Sequence, residues 1–292
     1  MGIYERYYEL QSEPFSLNPD PRFLYTAGCH QEALAQLRYC ITMRKGFAVL
    51  TGEVGTGKST IIRSLLDNLE KTIETGYIFN PPRSIDELYE AIADELELSF
   101  KAGKSRILEL NRRLLDLFKA SRIAVLFFDE AHCITTDILN EIRLLSNLET
   151  STAKLVQIVL AGQPEFDEIL DAPVHRALRQ RVAMRYRLSA LSGAETAEYI
   201  ANRLRIARAP RSPFTIDAYD AIFSYSGGIP RLINLLCDST LLDGYAYDRK
   251  QIDKTVVFSA ASELGLVRSS EARTVELRSA NHGSRPHREQ LR

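Results

Sequence analysis

The chain has 292 residues, of which 45% are hydrophobic and 26% are charged, and its formal net charge at pH 7 is −1. That hydrophobic and charged content is ordinary for a globular protein, and the length allows a full core with a second, smaller domain. The near-zero net charge excludes an overall attraction to nucleic acid or to an anionic membrane. Contact with either would therefore depend on a local patch.

Four cysteines lie far apart and form no C-x-x-C pair: Cys29, Cys40, Cys133 and Cys237. This spacing argues against a zinc site and against a disulfide framework, so we expect reduced thiols in a cytoplasmic protein. No signal-like segment opens the chain, and the apolar run 123–128 spans six residues. A membrane helix needs about 20 apolar residues. We therefore expect no membrane span, and work at a membrane only through a partner.

Short apolar runs alternate with longer helical patterns in the first two thirds of the chain. This alternation predicts an α/β fold, with a parallel sheet and helices on both faces. The predicted strands are residues 47–51, 76–80, 123–128, 155–161 and 184–188. Between them, apolar residues at helical spacing predict helices over 84–98, where Ser84 and Glu87 have capping-box spacing, and over 105–119.

After residue 188 the strand patterns stop and only helical patterns follow. The predicted helices are residues 193–207, 216–225, 231–242 and 251–264. The change places a domain boundary near residues 189–192, between an α/β domain over 46–190 and a small helical domain over 191–265. The polar composition of residues 266–292 predicts a disordered tail.

The first predicted strand leads into a glycine-rich loop of the pattern G-x-x-x-x-G-K-[ST]. Its residues are Gly52, Glu53, Val54, Gly55, Thr56, Gly57, Lys58 and Ser59, followed by Thr60. Such glycines allow turns that aim backbone N–H groups at phosphate oxygens, at the positive end of the next helix. Lys58 is expected to reach the β- and γ-phosphates of ATP, and Ser59 to hold Mg²⁺. With a strand before the loop and a helical pattern after it, a purely structural turn is the less favoured interpretation.

A second signature follows the third predicted strand, where Asp129 and Glu130 are adjacent. An aspartate at the carboxyl end of a buried strand can hold the Mg²⁺ shell beside a phosphate loop. Glu130 is then placed to polarise a water for attack on the γ-phosphate as a general base. His132 and Cys133 have no partners at metal-ligand spacing, so we expect no metal beyond Mg²⁺. Residues 129–132 also match the DEAH box of helicases, but a helicase needs a second nucleotide-binding core.

These features together resemble the AAA+ ATPases, with Gln163 just past the fourth strand and Gly228-Ile229-Pro230-Arg231 opening a helix. Within that class the chain resembles the ExeA-like family over about residues 4–264. The motifs that carry this resemblance are Tyr7-Tyr8-Glu9-Leu10, Asn18-Pro19-Asp20-Pro21-Arg22-Phe23-Leu24-Tyr25, His30-Gln31-Glu32-Ala33-Leu34 and Ala161-Gly162-Gln163-Pro164-Glu165.

The resemblance implies roles for several polar residues. Gln163 is the expected sensor-1 residue that orients the attacking water, with a loop hydrogen bond as the alternative. Arg231 is the expected sensor-2 arginine, which reaches the γ-phosphate from the helical lid, unless it is only a solvated arginine at a helix start. Arg181, and after it Arg179, is expected to act as an arginine finger in the neighbouring subunit's site. With Arg176 so close, at least one of these three arginines is expected to be surface charge.

The family also implies a role for the N-terminal segment 1–45, which is expected to pack on the nucleotide site. Its residues Phe15, Tyr25 and His30 lie where this class covers the adenine, although they could equally be core residues.

The implied function is that of an ATP-hydrolysing protein that assembles into a ring or filament and remodels a protein partner in secretion or cell-envelope assembly. The membrane span and peptidoglycan-binding region of ExeA are not expected in this chain. The alternative is a DNA-associated regulator resembling the TnsC transposition ATPases, which assemble on duplex DNA. Nine arginines against two acidic residues between positions 176 and 211 favour it, while the near-neutral total charge does not. A purely structural nucleotide-binding module is the third reading, disfavoured by Glu130.

Overall fold

The computed structural model describes residues 2–17, 21–23, 25, 27–101 and 103–268. Residues 18–20 and 24 of the N-terminal motif, and the expected disordered tail from residue 269 onward, lie outside this range. The chain divides into two compact units, one of residues 26–189 and one that joins residues 1–25 to the chain from 190 onward. The expected N-terminal segment 1–45 is therefore divided, because residues 28–42 form a helix of the first unit.

The strands, numbered in chain order, are β1 Phe47–Gly52, β2 Ile73–Ile78, β3 Ile123–Phe128, β4 Val156–Gly162 and β5 Val182–Leu188. The helices of four or more residues are α1 Ile3–Tyr7, α2 Gly28–Thr42, α3 Lys58–Asp67, α4 Ile85–Glu95, α5 Arg106–Lys119, α6 Thr136–Leu145, α7 Glu165–Asp171, α8 Arg176–Arg179, α9 Gly193–Ile206, α10 Ile216–Ser226, α11 Pro230–Ala246 and α12 Lys254–Glu263. Among the residues that the structure describes, no helix is long and apolar enough to cross a membrane.

The first unit is an α/β layer structure around a five-stranded sheet in the order β2-β3-β4-β1-β5. All four strand pairs are parallel, with Ile78 opposite Phe128 and Leu50 opposite both Ala161 and Tyr186. Parallel pairing brings the carboxyl ends of β1, β3 and β4 to one edge of the sheet. Residues that follow these strands can therefore meet there although they are distant in sequence.

Helices cover both faces of this sheet, as the alternation of patterns predicts. Alternate residues of the central strands enter two separate cores: Leu50 packs with α2 and α3, and its neighbour Val49 belongs to the core of α4, α5 and α6. Strand residues buried on both faces explain why β3 is a continuous apolar run and why β1 and β4 are almost entirely apolar, with Thr51 and Gln157 as their polar residues.

Several element boundaries differ from the predicted ones. β2 begins at Ile73 and ends at Ile78, not 76–80, because its partner β3 ends at Phe128 and leaves nothing for Phe79 to pair with. β5 begins two residues early, because Val182 pairs with Phe47 across a bulge. Helix α12 begins at Lys254, not 251, because the Asp253 carboxylate accepts from Thr255 N and Val256 N and caps it. Helices α1, α2, α6, α7 and α8 have no counterpart among the predicted elements.

The second unit is all helical in its regular structure, with α9 to α12 and α1. The Ser192 side chain and Glu195 form a reciprocal capping box that starts α9. Gly228 precedes α11 with φ +76°, and a Cβ there would meet Leu191 O at 1.9 Å, so only glycine fits. Tyr8 donates to Arg249 O at 2.9 Å, which ties the N-terminal segment to this unit.

Candidate active site

The phosphate-loop pattern forms the turn between β1 and α3. Gly55 and Gly57 have φ +83° and +106°, which L side chains rarely adopt. A Cβ at Gly52 would meet Leu188 O at 2.9 Å, so the loop also needs a small residue where it leaves the sheet. Gly57 is the N-cap of α3 and has no side chain with which to cap the first N–H groups of this helix. The first turn of α3 is thus suited to accept an anion.

Lys58 is buried at the start of α3, with 7% of its surface exposed. Its Nζ donates to Gly52 O at 2.6 Å and to Glu53 O at 3.0 Å, so the amine lies across the loop. Burial lowers the pKa of Lys58, and the carboxylates of Glu130 and Asp129 oppose this shift. The ammonium is therefore partly desolvated and is compensated by carbonyls and nearby carboxylates, a state in which phosphate oxygens are favourable partners.

Asp129 brings the strand end and the loop together. Its Oδ2 accepts from Ser59 Oγ at 2.9 Å and from Tyr77 Oη at 2.7 Å, and its Oδ1 accepts from Glu130 N at 2.9 Å. The carboxylate is 2% exposed, and three donors fix its orientation. Burial and the bond to Asp129 raise the pKa of Tyr77, so the phenol remains a donor.

The pair Ser59 and Asp129 fits Mg²⁺ in its chemistry, because one hydroxyl and one carboxylate are hard oxygen ligands. Mg²⁺ bound to nucleotide phosphates usually takes only one or two protein ligands and keeps several waters. Within the described ranges there is no cluster of three or more His, Cys, Asp or Glu residues that could enclose a metal, so an all-protein cage has no candidate there.

Tyr77 is a site residue that the sequence reasoning missed. It lies on β2 opposite Phe127, and its ring packs against that phenylalanine. Phe127 is itself two residues before Asp129 in the chain. Only the register between β2 and β3 would have indicated Tyr77, and a single sequence does not contain that register.

Glu130 and Gln163 both lie next to His132. Glu130 has φ +49°, and its half-exposed side chain places Oε2 3.4 Å from His132 Nδ1. The same Nδ1 accepts a long hydrogen bond from Gln163 N at 3.4 Å. A Cβ at Gly162 would meet His132 N at 3.3 Å, so the end of β4 packs closely on the segment after Glu130. The structure thus brings the expected base and the expected sensor residue to one histidine.

The candidate finger arginines follow α7 in the α/β unit. Arg181 donates to Ser146 Oγ, and Arg179 donates to Asp171 O at 3.4 Å. Arg176 is exposed at the start of α8. Arg185 pairs with Asp167 at 2.7 Å and with Asp171 at 2.9 Å, so its charge is already compensated.

The remaining expected site residues lie in different units. Arg231 is the exposed second residue of α11 in the helical unit. Phe15 is fully buried in that unit, with its ring 6.1 Å from Phe214, and Tyr25 donates to Glu198 at 2.9 Å. His30 belongs to the α/β unit, where its Nε2 lies 3.1 Å from Thr56 O in the phosphate loop. The three N-terminal residues therefore do not form one cluster within either unit.

Residues 41–170 match a family model described as an AAA domain. With the parallel sheet, the phosphate loop and the strand-end carboxylates, this match identifies a P-loop domain of the AAA+ class over these residues. Over 269 residues the chain is 40% identical to General secretion pathway protein A of Aeromonas hydrophila. The resemblance to the AAA+ ATPases of the ExeA-like family is thus confirmed.

This match covers 91% of the chain and 49% of the relative, so the chain spans about half the length of that protein. Among solved structures, Cdc6p of Pyrobaculum aerophilum is similar with a TM-score of 0.63 and 20% identity, covering 84% of this chain and 71% of that one. Drosophila ORC bound to DNA is similar with a TM-score of 0.66 and 16% identity, covering 90% and 66%. At such low identities these likenesses confirm the fold alone.

Proposed function

We propose that the protein binds ATP with Mg²⁺, hydrolyses ATP to ADP and phosphate, and uses this cycle to assemble with copies of itself and remodel a protein partner in secretion or cell-envelope assembly. The observation that carries the proposal is the 2.9 Å hydrogen bond between Ser59 Oγ and Asp129 Oδ2. It joins the two sequence signatures of triphosphate chemistry at one point, beside the buried Lys58 amine. A loop with a purely structural role would not require these two signatures to meet at one point.

In the proposed reaction the first-turn N–H groups of α3 bind phosphate oxygens. Lys58 gives up its hydrogen bonds to the Gly52 and Glu53 carbonyls and donates to phosphate oxygens instead. Ser59 and Asp129 would hold Mg²⁺, which supplies positive charge to the triphosphate. Glu130 accepts a proton from the attacking water while the water oxygen bonds to the γ-phosphorus. The bond between the γ-phosphorus and the β–γ bridging oxygen breaks, and ADP leaves. The Gln163 side chain orients that water, and His132 accepts from the Gln163 backbone beside Glu130.

Assembly completes the site in this proposal. Arg181, or failing it Arg179, stabilises charge on the transferred phosphoryl group in a neighbouring copy, and Arg231 reaches the γ-phosphate from the helical unit. Activity then depends on protein concentration. The secretion or envelope partner is proposed from the relationship to General secretion pathway protein A, over the half of that protein that the chain spans.

A DNA-associated regulator remains the second candidate. It is supported by three exposed arginines at the end of α9 and beyond it: Arg205, Arg208 and Arg211. Other members of the 176–211 cluster are used within the protein, since Arg185 pairs with two aspartates and Arg203 donates to Pro14 O at 2.7 Å. The basic surface is therefore smaller than the arginine count suggests, and we rank this function second.

The test is steady-state ATP turnover over a range of protein concentrations, with and without duplex DNA at two salt concentrations, together with nucleotide binding by Lys58→Ala. We expect turnover per protein molecule to rise with protein concentration.

We expect Lys58→Ala to weaken nucleotide binding by more than about tenfold, because one charge-assisted contact is lost. Lys71→Ala, at an exposed lysine of the same unit, is the matched control. Normal binding by Lys58→Ala would refute the site. Salt-sensitive stimulation by DNA would favour the regulator instead.

A further inference from the structure

His30 contacts the phosphate loop from outside the G-x-x-x-x-G-K-[ST] pattern. It lies in the first turn of α2, is 6% exposed, and places Nε2 3.1 Å from Thr56 O. A Cβ at Gly57 would meet the same nitrogen at 3.1 Å, so the imidazole packs directly against the Thr56–Gly57 peptide.

The chemistry of Thr56 O indicates which ring nitrogen donates. A backbone carbonyl can only accept, so Nε2 must carry a proton and donate it to Thr56 O. The other ring nitrogen, Nδ1, lies 3.6 Å from Cys29 Sγ. The contact with Thr56 therefore uses Nε2 as the donor.

The start of α2, from which His30 projects, is itself anchored to the sheet. Tyr186 on β5 donates its hydroxyl to Cys29 O at 3.1 Å and lies 3.1 Å from Glu32 Oε2. Buried residues of α2, Leu37 and Ile41 among them, pack in the same core as α3. His30 is therefore supported by a rigid element rather than by a loop.

The contact has a consequence for the loop because a peptide unit is planar and trans. The C=O of Thr56 and the N–H of Gly57 belong to one such unit and point in opposite directions. When His30 binds the carbonyl on one side, the Gly57 N–H is directed to the other side. Gly57 has φ +106° and can adopt many conformations, so without this contact the peptide could rotate easily.

We propose that His30 is a positioning residue for nucleotide binding, which orients the Thr56–Gly57 peptide of the phosphate loop so that the Gly57 N–H is available to a phosphate oxygen. This inference rests on the proposed function. It assigns a role to His30 different from covering the adenine, because the ring nitrogen contacts the loop backbone. Phosphate is the ligand group concerned, so ADP should respond as well as ATP.

The experiment compares His30→Leu and His30→Gln in the full chain. Leucine fills much of the same volume without a donor, whereas the glutamine amide can restore an N–H near the position of Nε2. Gln36→Ala is the matched control, because among the described residues this α2 side chain hydrogen-bonds only to Glu32, at 3.2 Å. Binding of fluorescent N-methylanthraniloyl-ADP is measured alongside KM and kcat for ATP and the thermal midpoint without nucleotide.

We expect His30→Leu to raise the dissociation constant and KM by about tenfold, near the upper end of the effect of losing one hydrogen bond. Its kcat should stay within about twofold of the wild-type value. His30→Gln should recover most of the affinity, and Gln36→Ala should match the wild type. If His30→Leu lowers only the thermal midpoint and the active fraction while the dissociation constant is unchanged, His30 is merely structural and the inference is overturned. If the wild-type protein itself binds no nucleotide, the proposed function fails first, so the two failures are distinguishable.

Discussion

Tyr77 donates its hydroxyl to Asp129 Oδ2 at 2.7 Å, the same carboxylate oxygen that accepts from Ser59 at 2.9 Å. The edge strand β2 therefore takes part in orienting the carboxylate that follows β3. Groups that orient a metal ligand affect metal affinity although they do not touch the ion. This relationship leads to the first prediction.

Tyr77→Phe should raise the Mg²⁺ concentration for half-maximal ATP turnover by about tenfold, because the Asp129 carboxylate loses one of its three donors. Titration of turnover and of nucleotide binding with Mg²⁺ measures the shift. Tyr89→Phe is the matched control, since Tyr89 donates to Glu141 at 2.6 Å elsewhere in the unit. That variant should keep the wild-type Mg²⁺ dependence, and equal shifts in both variants would contradict a specific role for Tyr77.

Glu130→Gln should bind ATP with nearly wild-type affinity while its kcat falls about 10²- to 10⁴-fold, because the amide cannot accept the proton of the attacking water. Single-turnover hydrolysis and equilibrium nucleotide binding separate the two effects. Glu168→Gln, at an exposed carboxylate on α7, controls for the change of charge. Unchanged turnover in Glu130→Gln would remove this residue as the general base.

Arg181→Ala should reduce kcat about 10³-fold if this arginine acts as the finger. Mixed in equal amounts with Glu130→Gln, it should recover about a quarter of wild-type turnover, the share of interfaces that combine an intact base with an intact finger. Ser146→Ala is the control, because it removes the intramolecular partner of Arg181 and leaves the arginine in place. Rescue by the corresponding Arg179 variant, but not by Arg181→Ala, would transfer the role to Arg179.

Acid should destabilise the protein through His175. This side chain is 3% exposed, and its Nδ1 has no hydrogen-bond partner among the described residues, while Nε2 lies 3.4 Å from Thr136 Oγ1. Burial lowers the pKa of His175 below its ordinary value of 6.5. Between the folded and unfolded pKa values the unfolded chain binds more protons, so stability is present above pH 6.5 and falls as the pH decreases below that value.

Urea unfolding of the wild type and of His175→Gln at pH 8, 7, 6 and 5 tests this prediction, those pH values being about one unit apart across the expected window. The glutamine variant does not titrate there, so its midpoint should vary less with pH than that of the wild type. The other titrating groups are common to both proteins and cancel in the difference. Parallel curves would show that His175 does not contribute.

The α/β architecture and the local parts of the site could be predicted from the sequence. The turn from Gly52 to Ser59 could be predicted because Gly55 and Gly57 can take φ +83° and +106°, which L side chains rarely adopt, and this constraint is local. The strand ending at Phe128 is likewise a continuous apolar run, so the position of Asp129 and Glu130 at its end followed directly. Ser84 at a helix start is a third local feature that the structure confirms.

Other features depend on which strands become neighbours. The order β2-β3-β4-β1-β5 brings Tyr77 to Asp129, and the packing of α2 on the sheet unit brings His30 to Thr56. Neither pair has a sequence pattern, because their members are separated by 52 and 26 residues. α2 itself was missed although it is 15 residues long, since its apolar positions are mixed with polar ones.

The sequence by itself thus determined the chemistry of the loop and of the strand end, which backbone conformation and residue type specify within a few positions. Only the tertiary structure decided which side chains orient that chemistry. The reason is physical: conformational preferences act between near neighbours in the chain, whereas a hydrogen bond such as that between Tyr77 and Asp129 exists only after two strands have paired in one register.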